Sequence, residues 1–222
     1  CLEVHLRNHT RSGPVSFHTD LLAADPATSA GVAAGREPKQ SVNPGGEHTY
    51  ELYASPEIGP TTAMVRDWGN VLANPGLGLY GAIVVGPTGT RYADPVTGAA
   101  ADDTSSWRVD AHPQRGPSWR DATLLFQDED AAIGTHKMPY TAAVTGVVGI
   151  NYRKEPLASG DAGTASATMS PSTPAIEAIA GDPVQLHVLA PWSEQAQVFS
   201  IEGHTWPVEH GQTGTSHVSS TA

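Results

Sequence analysis

Two isolated histidines are the residues of this chain best placed to do chemistry. His18 and His204 each follow a short segment in which apolar and polar residues alternate, so each imidazole is expected near the end of a strand. Imidazole nitrogens are common ligands of transition metals. The chain has 10 histidines in 222 residues, but no two of them are separated by a single residue. Their residue type makes His18 and His204 candidate metal ligands, with a half-buried imidazole bonded to the backbone as the alternative.

Two further groupings could hold a metal ion. His5 and His9 lie four residues apart, which suits two ligands on one helix face, but the segment around them alternates like a strand and then turns. The acidic run Asp128–Asp130 precedes His136, and clustered carboxylates suit calcium or manganese. A solvated loop explains the acidic run equally well.

The adjacent residues Arg66, Asp67 and Trp68 suggest a different role. An internal salt bridge covered by an aromatic ring would cross-link the chain locally, in place of a metal ion. This hypothesis rests on their positions alone. It predicts that Arg66→Ala lowers the melting temperature without changing the metal content.

Other catalytic patterns are missing from the sequence. It contains no Gly-x-Ser-x-Gly elbow, no Gly-Lys-Ser/Thr phosphate loop and no Cys-x-x-Cys pair. Hydrolase chemistry therefore has no positive support. Cys1 is the one cysteine, which excludes a disulfide within the chain. Asn8-His9-Thr10 matches a glycosylation sequon.

Composition and charge exclude several classes of partner. The formal net charge is −11, and the 12 basic residues are scattered, so neither a nucleic acid nor an anionic membrane surface is an expected partner. No run of about 20 apolar residues marks a membrane span, and no signal-peptide pattern is present. The 23 glycines and 18 prolines fit a β architecture rich in turns.

Strand periodicity runs through the whole chain. Apolar residues alternate over residues 2–6 and 184–188, and a continuous apolar run at 81–85 is typical of a strand buried on both faces. Further strands are predicted at residues 14–22, 48–53, 122–127, 147–152 and 198–201. No segment has helical periodicity over three turns. The predicted fold class is all-β, with β-sandwich architecture.

The two halves of the chain are alike in pattern. In each half an alternating strand is followed by a strand that carries one histidine, first over residues 1–18 and again over residues 184–204. A long polar stretch at 86–117 separates them. We predict two domains, at residues 1–118 and 119–222, with the second incomplete at its C-terminal end.

Several of these segments resemble bacterial multicopper oxidases, especially the long ceruloplasmin-like members. The matching segments are Cys1–Asn8, Ser16–Asp20, Pro44–Tyr50, Leu77–Val85, Gln185–Leu189 and Phe199–His204. The resemblance covers most of the chain. It implies tandem cupredoxin-like Greek-key β-sandwiches.

The resemblance also implies copper, but most of the family's ligands are replaced. The family binds a trinuclear copper cluster through four His-x-His pairs. Here the first pair keeps His18 and has Asp20 as its second member. The second pair becomes Arg66 and Trp68, and the third falls at Ser200 and Glu202, which leaves His204 nearby. Cys1 lies at the wrong end of a domain to serve a blue copper site.

Two functions follow as expectations. In the first, the chain is a segment of a multicopper oxidase that oxidises a small substrate or metal ion and reduces dioxygen to water. Further cupredoxin domains or subunits would then supply most of the copper ligands, and the resemblance implies an extracytoplasmic or secreted location. In the second, the chain is a non-catalytic, copper-free cupredoxin module that serves as a scaffold or an interaction domain.

Overall fold

The chain folds into strands and turns. The structure, a computed structural model, describes residues 1–11, 13–32, 39–71, 73–75, 78–101, 106–128, 148–150, 176–193, 197–208 and 214–221. Within these ranges it contains 15 strands and no helix. The all-β prediction is confirmed.

Fifteen strands follow one another along the sequence. They are β1 (Leu2–Arg7), β2 (His18–Thr19), β3 (Ala23–Ala24), β4 (Glu47–Tyr53), β5 (Thr61–Arg66), β6 (Tyr80–Val85), β7 (Arg91–Ala93), β8 (Arg108–His112), β9 (Trp119–Asp128), β10 (Val148–Ile150), β11 (Val184–Trp192), β12 (Phe199–Ser200), β13 (Trp206–Pro207), β14 (His217–Val218) and β15 (Ser220–Thr221). The last four form two short antiparallel pairs, β12 with β15 and β13 with β14.

Two three-stranded sheets share the core of the first half. One has the order β1-β4-β3 and the other β2-β5-β6. Leu22 and Leu52 meet Ala63 at the centre, and all three are buried. Burying a leucine side chain contributes about 2 kcal/mol, so this cluster is a main source of the stability of the first half.

A strained turn carries the chain from one of these sheets to the other. Leu21 has a φ of 67°, in the left-handed region that L-residues with large side chains rarely adopt. The N–H of Leu22 donates to the carbonyl oxygen of Asp20 at 2.9 Å, which closes a three-residue turn. The turn ends β2 and begins β3. It lets Leu22 enter the core while Leu21 stays 58% exposed.

The second half is built around the long strand β9. The antiparallel strands follow the order β10-β9-β8-β7, and β11 adds to β9 in parallel, with Val184 opposite Arg120. Strands β7 and β8 precede Ser118, so residues from both sides of the predicted domain boundary pair in this sheet. The division into two domains stays a prediction.

Most predicted strands are found where the pattern placed them. Strands β4, β6 and β9 cover the predicted segments 48–53, 81–85 and 122–127. The strand predicted at residues 14–22 is wrong in its extent, because only β2 and an isolated bridge from Val15 to Val42 form there. The cause lies at Ser16, whose backbone N–H donates to the Asp67 carboxylate at 2.8 Å instead of to a neighbouring strand.

Candidate functional site

His18 lies at the start of β2 and is held on both sides of its ring. Its Nδ1 is 2.6 Å from the carbonyl oxygen of Ala30, which can only accept, so Nδ1 carries the proton and donates. Its Nε2 lies 3.5 Å from Oδ1 of Asp20, and the side chain is 25% exposed. His18 is therefore a half-buried histidine bonded to the backbone, with one nitrogen turned toward a carboxylate.

Arg66 and Trp68, which the resemblance aligns with a second ligand pair, lie beside His18. Arg66 is directly opposite His18 across the β2–β5 pair. The indole ring of Trp68 meets the imidazole edge-on, with ring centroids 5.4 Å apart. The fold thus brings together the four positions of the first two expected ligand pairs. Only one of the four is an imidazole.

The side chains around His18 do not fit a copper ion. One imidazole and one carboxylate face each other, while Arg66 brings a positive charge to the same pair of strands. Copper sites in proteins use several imidazoles, usually with a thiolate for blue copper. Within the described ranges, no group of three or more His, Cys, Asp or Glu side chains could hold a metal ion.

Asp67 is the best-connected side chain of this region. It is 4% exposed, and its carboxylate accepts from the backbone N–H groups of Ser16, Gly69 and Asn70 at 2.8–3.1 Å. The side-chain amide of Asn74 donates to it as well, at 2.9 Å. The carboxylate ties the segment before β2 to the loop after β5. It cross-links these two segments through hydrogen bonds alone.

The predicted salt bridge between Arg66 and Asp67 is wrong. The Nε–H of Arg66 donates to the sulfur of Met64 at 3.1 Å, and Asp67 is occupied by the donors just described. Neighbouring residues of a strand point to opposite faces, which separates these two side chains. The expectation of a local cross-link survives, but Asp67 makes it with backbone groups.

Gly69 has a steric reason to be glycine. A Cβ at this position would come within 2.6 Å of the carbonyl oxygen of Pro14. This close approach lets the backbone N–H of Gly69 reach Asp67 at 2.8 Å. The segment before β2 and the loop after β5 are therefore in direct backbone contact as well.

His204 lies in a turn after β12 and is exposed. Its Nδ1 is 3.0 Å from the carbonyl oxygen of Glu202, and its backbone N–H donates to Ile201 at 3.1 Å. The structure does not place His204 in a group with other metal-ligating side chains of the described residues. Both contacts are local to its own turn.

The remaining candidates also have local partners. His5 bonds to Thr49 at 3.0 Å and to Glu3 at 2.7 Å, on the exposed face of β1 and β4. Asn8 of the sequon is 1% exposed, and its amide donates to Val42 at 2.7 Å, so this fold leaves it no room for a glycan. Residues 129–147, with Glu129, Asp130 and His136 of the acidic-run hypothesis, lie outside the described residues.

An open cavity of about 200 Å³ lies where β8 and β9 meet the segment before β11. His112 and Ser118 stand opposite each other there, with Nδ1 and Oγ 2.9 Å apart. Asp110 lies on the same face of β8, and both oxygens of its carboxylate accept hydrogen bonds from Arg120. The hydroxyl and the imidazole are within the distance needed for a nucleophile and its base, but both are exposed, and none of the described carboxylates orients the imidazole.

The structure also contains a largely buried hydrogen-bonded chain that no sequence motif predicted. Oγ1 of Thr62 on β5 lies 2.5 Å from Nδ1 of His187 on β11. Nε2 of that histidine lies 3.0 Å from Oδ2 of Asp121 on β9. The indole N–H of Trp119 donates to the same carboxylate oxygen at 3.0 Å. The chain crosses from the first half of the molecule to the second.

Comparison with known proteins adds no family. Neither a scan against protein-family models nor a search of curated proteins finds a match to this chain. Within the described ranges, no helix is long and apolar enough to cross a membrane. The family resemblance of the sequence therefore stays a prediction.

Proposed function

We propose that this chain is a non-catalytic, copper-free module with the cupredoxin-like Greek-key architecture of multicopper oxidases. It serves as a scaffold or an interaction domain beside further cupredoxin domains or subunits. One observation carries the proposal: at the positions that match two of the family's ligand pairs, His18 stands alone with Asp20, Arg66 and Trp68.

Physical chemistry supports a structural role for this group. The imidazole of His18 is oriented by a backbone carbonyl and packed against the indole ring of Trp68. The carboxylate of Asp67, in the loop that also carries Trp68, accepts hydrogen bonds from four donors. A carboxylate that accepts several hydrogen bonds is a strong local cross-link. His18 and Asp67 therefore hold the segment before β2 against the loop after β5. A bound metal ion cross-links loops in the same way in metal-binding domains.

Copper content tests the proposal. The protein is loaded with copper, thoroughly desalted and measured by inductively coupled plasma mass spectrometry, next to His18→Ala and His204→Ala as matched single-histidine variants. We expect less than a tenth of a copper ion per chain in all three proteins. One firmly held copper that disappears in His18→Ala would refute the proposal, and loss in His204→Ala would refute it at the other site.

The second candidate is a segment of a multicopper oxidase, to which His18 contributes one ligand of a site completed by other domains. The orientation of His18 favours it, because ligating imidazoles commonly donate their other N–H to a backbone carbonyl. In that case the complete protein would bind copper and oxidise a small substrate or metal ion with dioxygen. His18→Ala in the complete protein would then remove copper, whereas under the scaffold proposal the copper content is unchanged.

A further inference from the structure

Three side chains from three strands form a chain of hydrogen bonds inside the molecule. Thr62, His187 and Asp121 are joined by contacts of 2.5 Å and 3.0 Å. The histidine and aspartate side chains are 9% and 6% exposed. These residues are called the latch below.

The latch points away from the core of the first half. Ala63 is fully buried in that core, so its neighbour Thr62 faces the opposite side of β5. That side meets β11 of the second half, which carries His187. A second bond between the halves runs from the hydroxyl of Tyr80 to Oε1 of Gln127 at 2.6 Å. The latch is thus part of the interface that joins the sheet β2-β5-β6 to the sheet around β9.

The order hydroxyl, imidazole, carboxylate is also that of catalytic triads. Two observations argue against a nucleophile here. Thr62 is aimed at β11, and the cavity near β8 and β9 includes neither Thr62 nor His187 in its lining. The same order of groups occurs again on the surface, at Thr49, His5 and Glu3. Hydrogen-bond order alone therefore does not mark a catalytic site in this protein.

We infer that the latch is a conformational device that locks the two halves of the chain into one cooperative unit. Its three members belong to three strands, and each satisfies a polar group that the interface removes from water. A buried polar network is strong when every member is satisfied and weak when one is missing. Loss of one side chain therefore weakens the contact of β5 with β11, and the outer face of the β2-β5-β6 sheet opens to water more often.

The exposed chain supplies a matched control. Thr62→Val and Thr49→Val remove the same hydroxyl from the same kind of chain while keeping the shape of the side chain. Each is measured by thermal unfolding and by hydrogen exchange of backbone amides. We expect Thr62→Val to lower the melting temperature by about 3 °C or more and Thr49→Val to change it by about 1 °C or less.

Hydrogen exchange separates the latch from a general loss of stability. Amides of β5 and β11 should exchange at least about tenfold faster in Thr62→Val, while those of β1 and β4 keep their rates. Thr62→Ser, which restores the hydroxyl, should return both quantities close to the native values. Equal effects of the two valine variants, or no acceleration in β5 and β11, would overturn the inference.

Two further measurements complete the test. The double variant Thr62→Val with His187→Gln should lower the melting temperature by less than the sum of the single variants, because both break one network. An additive result would overturn the latch. Covalent labelling of Thr62 by a fluorophosphonate probe would also overturn it, since the hydroxyl would then be an accessible nucleophile.

Discussion

Two chains of threonine, histidine and carboxylate occur in this molecule with the same atoms in the same order. In both, a threonine hydroxyl meets Nδ1 of the imidazole and a carboxylate meets Nε2. At the surface, His5 bonds to Thr49 at 3.0 Å and to Glu3 at 2.7 Å, and its side chain is 67% exposed. Inside, the corresponding distances at His187 are 2.5 Å and 3.0 Å, and its side chain is 9% exposed.

The two chains differ in whether water can replace a hydrogen-bond partner that is lost. Water can bond to each group of the surface chain, so breaking one contact costs little. The His187 and Asp121 side chains are only 9% and 6% exposed, so water replaces a missing partner less readily and a donor or a charge is left unsatisfied. The surface chain also joins two strands of one sheet, whereas the buried chain joins two halves of the molecule. Burial and topology, and not the order of the atoms, decide what such a chain does.

Removing the imidazole should give the largest difference in stability between the buried chain and the surface chain. His187→Ala leaves the Asp121 carboxylate buried, with the indole N–H of Trp119 still donating to it. Stranding a buried charge typically costs about 3–5 kcal/mol of unfolding free energy. His5→Ala, its surface counterpart, should cost less than about 1 kcal/mol. Urea unfolding of both variants checks this, and similar midpoints would contradict the role of burial.

Asp67 is a second buried carboxylate for comparison, and its hydrogen-bond donors are backbone N–H groups and an amide in place of an imidazole. Asp67→Asn keeps the shape but replaces one acceptor oxygen by a donor that faces backbone N–H groups. We expect a loss of about 2–3 kcal/mol, which follows from leaving buried donors unsatisfied. The measurement is a urea unfolding curve with unchanged slope. A variant as stable as the native protein would show that the backbone donors find other partners.

The pair of Asp110 and Arg120 has intermediate exposure and should show an intermediate effect. Two bonds of 2.7 Å and 3.0 Å join them, and the side chains are 29% and 22% exposed. The hydrogen bonds that Arg120 donates to the Asp110 carboxylate raise the pKa of Arg120, so the guanidinium is firmly charged. Arg120→Lys loses the two-bond geometry and should cost about 1 kcal/mol. If Arg120→Lys lowers the unfolding free energy as much as His187→Ala does, the expected relation between side-chain exposure and loss of stability is wrong.

Asp94 is a carboxylate in a surface turn and should show the smallest effect. The backbone N–H of Thr97, then its hydroxyl and the N–H of Val96, lower the pKa of Asp94 below 3.8. A folded-state pKa below the unfolded value gives stability above that value, which is lost as the pH falls through the lowered pKa. The native protein should therefore exceed Asp94→Asn by about 1 °C in melting temperature at pH 5, with no difference near pH 2. A difference that persists at pH 2 would contradict this assignment.

Periodicity was sufficient to predict the strands, because a strand that is half buried must alternate. β4 follows from its alternating apolar residues and β6 from its continuous apolar run, but the residues of β6 are partly buried and not fully buried as that run predicts. The end of the predicted strand at residues 14–22 was not predictable, since it depends on Asp67, which is 51 residues away from Ser16. The contact between them arises from the tertiary fold, and no local pattern encodes it.

The same reasoning applies to the sites. His18 could be found because its position matches a motif, and its surroundings were partly anticipated from the substituted ligand pairs. The latch could not, because Thr62 and His187 are 125 residues apart. One signal was present: His187 sits between Leu186 and Val188 in the middle of a predicted strand, where a polar side chain needs a partner. The identity of that partner follows only from the packing of β5 against β11.

We propose that the polar contacts of His18 and Asp67, and not a copper ion, cross-link the segment before β2 to the loop after β5. Differential scanning calorimetry in the presence of a chelator and with a tenfold excess of copper tests it most directly. A ligand that binds the folded state raises the melting temperature, by linkage. The account predicts equal melting temperatures under the two conditions, for the native protein and for His18→Ala. A rise of several degrees with copper in the native protein, absent from His18→Ala, would contradict it.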